Sequence, residues 1–169
     1  VLGLGPLGQF AARLAKASGA RAIYATDISK TRIDLARNVV DEALNSNEIN
    51  STERLLELTN DVGLDIVFEC AGATSTLGQA ITVLKRGGTI VVIAVSFDPI
   101  QFWPFQDLVF KQLTIKGSFY STPRDFVHAI DIMKSKTIEV DSIITSKISL
   151  EEIGEKGFEK ALKGESGKI

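Results

Sequence analysis

Cysteine and histidine are almost absent from this chain: one of each, Cys70 and His128, in 169 residues. A single cysteine forbids an internal disulfide. No ligand motif surrounds either residue, and two such ligands are too few for a tetrahedral zinc site of sulfur and imidazole. Charge of one sign is lacking too. Nineteen basic residues stand against 21 acidic ones, for a formal net charge of −2. With no basic block there is no electrostatic case for binding nucleic acid or an anionic membrane surface. No apolar run approaches the roughly 18 residues of a spanning helix. Internal repeats and low-complexity stretches are missing, and no targeting segment is visible; the lone cysteine fits a reducing compartment, so the expected location is the cytoplasm.

What is present is an ordinary globular composition, 44% hydrophobic and 24% charged, in a length that suits one domain. Apolar β-type runs at residues 1–4, 22–26, 42–44, 65–70, 89–95 and 113–119 predict six strands. Most are continuous rather than alternating, as strands covered on both faces should be. Helical patterns separate them. The first spans residues 6–18, with Leu7, Phe10, Ala11, Leu14 and Ala15 on its apolar face. The second follows Ser29. The third opens at residues 50–53 and uses Leu55, Leu58 and Val62. The fourth carries Leu77, Ala80, Ile81 and Leu84 and should stop at Gly87-Gly88. A short helix covers residues 105–111. The sixth starts at Thr122-Pro123 and should bury Phe126, Ile130 and Met133. The last opens on a capping box, Ser149-Leu-Glu-Glu152, and runs to about residue 163. This alternation predicts an α/β Rossmann fold, a doubly wound six-stranded parallel sheet in the order 3-2-1-4-5-6. Residues 1–140 form the core, and residues 141–169 a strand and helix extension of the same domain.

Gly3-Leu-Gly5-Pro-Leu-Gly8 fits G-x-G-x-x-G and lies where that pattern has a mechanism, between an apolar strand and an amphipathic helix. Gly3 allows the tight turn, Gly5 lets a pyrophosphate approach the backbone, and Gly8 lets the helix pack closely. The helix N-terminus offers N–H groups and partial positive charge. Pro6 has no N–H, so Leu7 and its neighbours must donate. Asp27 ends the second strand at the distance expected for a carboxylate that accepts from the adenosine ribose hydroxyls. A 2′-phosphate would meet a like charge there, so NAD is expected over NADP. The nearby Lys30 and Arg32 work against that preference.

On these residues the chain resembles the zinc-type medium-chain alcohol dehydrogenases. The likeness spans essentially the whole chain. Besides V-L-G-L-G-P-L-G at the start, it is carried by A-T-D-I-S-K-T-R from Ala25, D-I-V-F-E-C-A-G from Asp65, L-K-R-G-G-T-I-V-V-I from Leu84 and D-L-V-F-K-Q-L-T-I-K-G-S from Asp107. The polyol, threonine and butanediol dehydrogenase branch is the most similar, and the G-A-x-G-x-V-G-like loop of the zinc-free quinone reductases is missing. The resemblance implies the cofactor-binding domain of a zinc- and NAD-dependent alcohol or polyol dehydrogenase. It assigns Gly3, Gly5, Pro6, Leu7 and Gly8 to the pyrophosphate and Asp27 to the ribose. Arg32 falls along the adenosine, and Cys70, Ala71 and Gly72 against the cofactor ribose. The backbone of Ile93, Ala94, Val95, Ser118, Phe119 and Tyr120 is assigned to the nicotinamide carboxamide. In that family zinc belongs to a separate catalytic domain, so this chain is expected to be a piece cut at both ends. It should bind NAD(H) without catalysing, with no catalytic and no metal-binding residue of its own.

His128, flanked by Val127 and Ala129, reads as a helical surface histidine rather than a relay, because no paired carboxylate or nucleophile is apparent. Cys70 reads as a small buried hydrophobe. Phe97, Ile100, Phe102, Trp103 and Phe105 make an aromatic loop leading into the edge strand Leu113–Phe119. The resemblance makes this loop and strand the contact of a homodimer; the alternative is that the aromatics only cover the sheet's own edge. Two other functions fit the motifs less well. One is a stand-alone module that senses NAD(H) without catalysing. The other is a methyltransferase using S-adenosylmethionine, which Gly8 and the segment 107–118 disfavour.

Overall fold

The computed structural model describes residues 1–96, 99, 105–162 and 168. Five strands form where aliphatic and β-branched residues crowd: β1 (Tyr24–Asp27), β2 (Glu42–Asn45), β3 (Leu64–Glu69), β4 (Leu84–Val92) and β5 (Thr114–Gly117). Among the described residues, the helices ahead of the tail are α1 (Pro6–Ala17), α2 (Lys30–Ala36), α3 (Ser51–Leu58), α4 (Thr74–Val83), α5 (Phe105–Phe110) and α6 (Pro123–Lys134). Every strand pair is parallel: β1 with β2, β3 with β4, and β4 with β5. A parallel pair cannot be closed by a hairpin and needs a crossover, which the helices provide.

The expected first strand is reduced to a single bridge. Residues 1–4 contribute one bridging residue, Leu2, which pairs in parallel with Thr26 of β1 and with Glu69 of β3. Gly3 and Thr26 add bonds on one side (Gly3 N–H to Thr26 O, 2.8 Å; Thr26 N–H to Val1 O, 2.9 Å). Leu2 and Cys70 add two on the other (Leu2 N–H to Phe68 O, 2.9 Å; Cys70 N–H to Leu2 O, 2.8 Å). The ladder stops there because Gly3, at φ +92°, turns the chain out of the extended region. The described strands therefore form two sheets, β1-β2 and β3-β4-β5, one on each side of Leu2.

Both faces are covered, as the continuous apolar runs predict. Val67 of β3 packs into a cluster with Leu55 of α3 and Leu77, Ala80 and Ile81 of α4. The next residue, Phe68, packs on a second cluster with Ala11 and Ala12 of α1 and Ile33 and Ala36 of α2. Successive side chains of a strand point to opposite faces, so α1 and α2 lie over one side and α3 and α4 over the other.

Four helical expectations are corrected. The buried side of α1 holds Gly8, Gln9, Ala11, Ala12 and Arg13, while Leu7 and Leu14 are exposed. In α3, Leu55 is buried, but Val62 lies beyond the helix and is exposed. Helix α4 ends at Val83 and β4 begins at once, because Leu84 pairs with Leu64. The pairing then shifts register before Ile66 meets Thr89, and Gly87-Gly88 serve that irregularity instead of stopping a helix. Gly87 is at φ +72°, and a Cβ on Gly88 would meet Leu84 Cδ2 at 2.8 Å. Helix α6 starts as expected, with a capping box between Thr122 and Asp125, but buries nothing; Phe126 and Met133 are exposed.

The tail departs further from a regular helix. Ser149 makes no side-chain cap. A 3-10 turn (Leu150–Glu152) passes into a π-helical stretch (Ile153–Glu159) and one short α-turn (Lys160–Leu162). Gly154 and Gly157 lie within that stretch, and glycine disfavours a helix interior by about 1 kcal/mol relative to alanine. In the tail Ile143 is buried. Among the described residues no helix is long and apolar enough to cross a membrane.

Candidate functional site

All the loops that carry predicted site residues leave the carboxyl ends of strands, where open α/β sheets bind ligands. The glycine loop comes first. Leu4 leads from the Leu2 bridge to Gly5, the N-cap of α1, with Pro6 in the first turn and no acidic side chain there. The first helical bond runs from Gln9 N–H to Gly5 O (2.9 Å), so the N–H groups of Leu7 and Gly8 precede the ladder.

The three glycines have different jobs. A Cβ on Gly3 would lie 2.8 Å from Ala71 N, and one on Gly8 would lie 1.8 Å from Gly3 O. Both positions are closed by backbone. Gly5 meets nothing within 4 Å and has φ −60°, ψ 179°, a conformation open to any residue. Its missing side chain leaves a space that the fold itself does not use.

Asp27 ends β1 and is buried, with 4% of its side chain exposed. Its Oδ2 accepts from Leu4 N–H (2.6 Å) and its Oδ1 from Ser29 N–H (2.8 Å). The carboxylate thus ties the glycine loop to the start of α2, a duty its spacing did not reveal. A carboxylate has about four acceptor sites, so two bonds leave capacity for hydroxyl donors. Arg32 Nη1 stands 4.0 Å from Asp27 Oδ2, and Arg32 Nε is buried with no hydrogen-bond partner.

Beyond Asp27 the loops touch in sequence. Gly3 packs on the backbone of Cys70 and Ala71 after β3. Gly72, at φ +72°, packs on Ala94 and Val95 after β4, where a Cβ would meet Ala94 Cβ and Val95 O at 3.3 Å. Ser118 N–H reaches back from the end of β5 to Val92 O (2.9 Å). Ile93 and Ala94 both donate to Glu69 O. Phe119 and Tyr120 lie edge-on to one another, centroids 4.8 Å apart, and both are mostly exposed. Cys70 is half-buried, and burial pushes its thiol up to about 11. His128 is exposed on α6. Of the aromatic loop, Phe97, Ile100, Phe102 and Trp103 lie outside the described residues, and Phe105 begins α5 with its side chain exposed.

Three buried polar residues were missed by the sequence reading. Glu69, Gln9 and Arg13 are 3%, 1% and 5% exposed. Gln9 donates to Leu4 O (3.3 Å) and Arg32 O (2.8 Å) and accepts from Arg13 Nη1 (2.7 Å). Arg13 donates on to Glu139 O and Ser142 Oγ, so α1 joins the glycine loop to the tail. The available signals were a carboxylate inside the apolar run D-I-V-F-E-C and a polar i, i+4 pair on a helix.

A cavity of about 860 Å³ borders the glycine loop at Pro6 and Arg32, with Ile144, Lys147, Phe158 and Lys168 lining it from the tail. It reaches the glycine loop at Pro6, not the loops after β4 and β5. The open Gly5, the orphaned Arg32 Nε and three basic side chains fit a bound anion with sugar attached. Among the described residues no three His, Cys, Asp or Glu side chains come together.

The sequence profile of the zinc-binding dehydrogenases matches residues 6–135. The L-threonine 3-dehydrogenase of Bacillus licheniformis is 32% identical over 174 residues, which take in 100% of this chain and 49% of that enzyme. The crystal structure of 2R,3R-butanediol dehydrogenase from Bacillus subtilis superposes with a TM-score of 0.86 at 28% identity, over 98% of this chain and 47% of that one. A zinc-binding dehydrogenase from Sinorhizobium meliloti 1021 bound to NADP gives a TM-score of 0.80 at 29% identity, over 89% of this chain and 45% of that one. The chain spans about half the length of the curated relatives it matches. With a Rossmann-like α/β fold of parallel strands and a family profile over most of its length, the chain belongs to the zinc-binding dehydrogenase family.

Proposed function

We propose that this chain is the NAD(H)-binding half of a zinc-dependent alcohol or polyol dehydrogenase, an enzyme that transfers hydride between an alcohol or ketone and nicotinamide. The observation that carries this reading is Gly5. It is open, free of backbone strain, and set at a helix N-terminus whose loop is anchored by Asp27. In this reading the N–H groups of Leu7 and Gly8 take the diphosphate, aided by Arg32 and by Lys147 and Lys168 across the cavity. The free acceptor sites of Asp27 take the ribose hydroxyls. Cys70–Gly72, Ile93–Val95 and Ser118–Tyr120 frame the nicotinamide half. NAD supplies the hydride acceptor, and this chain's residues bind and orient it. Zinc and the substrate pocket belong to the other half of the enzyme. The named relatives are dehydrogenases, which lends the stand-alone sensing module no support.

The same reading places residues 1–4 as a sixth strand, giving the order 3-2-1-4-5-6, with residues 1–140 as the core and 141–169 as its extension. It locates the enzyme in the cytoplasm. It pairs two copies through β5, a sheet edge whose residues are all exposed, and through the segment 97–105. Val109 and Phe110 before β5 in sequence and Phe119 after it are also exposed, which suits a self-complementary contact. Light scattering that finds only monomer at high concentration removes the dimer.

Asp27 favours NADH, and Arg32, 4.0 Å away, reduces but does not reverse its repulsion of a 2′-phosphate. Calorimetric titration with NADH and NADPH tests the whole reading. Saturable binding that favours NADH is expected. Failure to bind either nucleotide overturns the reading, and tighter binding of NADPH overturns the preference.

A further inference from the structure

Glu69 has no part in the site as proposed, yet it is built like a component of it. It is the last residue of β3, and its side chain is buried. One carboxylate oxygen, Oε1, accepts three hydrogen bonds: from Ala71 N–H (3.0 Å), Gly72 N–H (2.9 Å) and Thr76 Oγ1 (2.7 Å). Its backbone carbonyl accepts two more, from Ile93 N–H (2.9 Å) and Ala94 N–H (3.2 Å). A single residue therefore holds the loop after β3 with its side chain and the loop after β4 with its main chain.

Close packing carries that grip outward. The loop fixed by Glu69 is the surface on which Gly3 of the glycine loop rests, with no room for a Cβ. Gly72, one of the three donors to Oε1, rests in turn on Ala94 and Val95. Packed backbone of this kind transmits displacement instead of absorbing it. Charge-assisted bonds to backbone N–H groups are the strong ones, and a buried carboxylate among them fixes the turn more firmly than the loop's short side chains would.

We propose that Glu69 is a positioning residue for the nicotinamide half of the bound dinucleotide, holding the loops after β3 and β4 in register with the glycine loop. The proposal rests on the cofactor reading above. It differs from a general structural role in one respect: Glu69 binds Ala71, Gly72, Thr76, Ile93 and Ala94, whereas Asp27, which serves the adenosine half, binds Leu4 and Ser29. Loss of the carboxylate should loosen one half of the site and leave the other.

The test compares NADH with AMP, which has the adenosine half alone, on the full-length protein. Glu69→Ala is expected to weaken NADH roughly tenfold, the equivalent of about 1.4 kcal/mol, with a much smaller loss for AMP, whose single phosphate meets only the glycine loop. Glu69→Gln keeps an acceptor oxygen in the same place and should recover most of the loss. If Glu69→Ala does not fold, Thr76→Val removes one of the three donors to Oε1 and should show the same split at smaller size. Equal weakening of NADH and AMP, or no weakening of either, overturns the role of Glu69. A wild-type protein that binds AMP but not NADH, or neither, overturns the cofactor reading itself and Glu69's role with it.

Discussion

Gly5 and Gly8, three residues apart in the motif, should fail in opposite ways when each gains a methyl group. At Gly5 the backbone is at φ −60°, ψ 179°, and a Cβ meets nothing within 4 Å. Alanine is a poorer N-cap than glycine, but it loses less backbone entropy on folding. The two effects offset, and stability should stay within about 0.5 kcal/mol of the parent. The methyl group nevertheless fills the space through which a diphosphate reaches the N–H groups of Leu7 and Gly8. Losing one charge-assisted bond of about 1.5–3 kcal/mol weakens NADH roughly 10- to 150-fold. At Gly8 a Cβ would lie 1.8 Å from Gly3 O and 2.9 Å from Gly3 C. Both partners are backbone, one in a helix and one in a turn held by Thr26, so neither can swing aside. Overpacking of this sort costs about 1–3 kcal/mol or more. Denaturant unfolding and NADH titration of the two variants, read together, check the reasoning. Gly5→Ala with parental stability and parental NADH affinity would refute it, because the diphosphate would then not lie on Gly5.

Asp27→Ser should weaken NADH about tenfold, the scale of one bond to a charged acceptor, and narrow the gap to NADPH; unchanged affinities in paired titrations would take Asp27 out of the ribose site. Gly63→Ala should destabilise the protein by about 2–4 kcal/mol, because Gly63 has φ +89° and a Cβ there would lie 2.7 Å from Lys85 N and 2.8 Å from Val83 O; an unchanged denaturation midpoint would contradict that packing. Burial raises the Cys70 thiol from its ordinary 9.0 to about 11. The folded chain therefore keeps a proton that the unfolded chain gives up, and stability should fall as pH rises from 9.0 towards 11. The unfolding midpoint should show this slope in the parent and lose part of it in Cys70→Ala, while alkylation of the native thiol stays slow at pH 8.

The parts of the fold that sequence reveals are those where a residue type and a spacing have one physical cause. Continuous apolar runs mean strands covered twice, and Val67 and Phe68 do face different cores. Gly3, Gly5 and Gly8 mark a turn, an open approach and a close packing, and the three differ in that way. Pattern alone fails where it shows an apolar face without its cover. Phe126 and Met133 on α6 have the right period and stay exposed. It fails again where one signal has two causes: Gly87-Gly88 reads as a helix stop but serves the register shift between β3 and β4. In the tail, the Ser149-to-Glu152 spacing suits a capping box, but two glycines downstream weaken the helix it would begin.

The site divides along a similar line. Residues expected to touch a ligand, such as Gly5 and Asp27, follow spacing rules because the ligand has a fixed shape. Residues that hold other residues have no such rule. Gln9 and Arg13 face the core because α1 is rotated from the face its leucines suggested, and their polarity is satisfied by Leu4 O, Arg32 O and Glu139 O. Those partners are far from α1 in sequence, apart from Leu4, and their approach is a product of the whole fold. Asp27 belongs to both groups, since it binds Leu4 N–H at 2.6 Å before any ribose is present. In the proposed site this one carboxylate both organises the loop and recognises the sugar, which couples the two: the glycine loop keeps its shape only while the proposed ribose acceptor is in place. Asp27→Asn separates these duties, because an amide oxygen can still accept from Leu4 N–H, at the cost of the bond from Ser29 N–H, while the charge that repels a 2′-phosphate is gone. NADPH should then gain on NADH with the loop intact, whereas a collapse of both affinities would mean that the charge is needed for the loop itself.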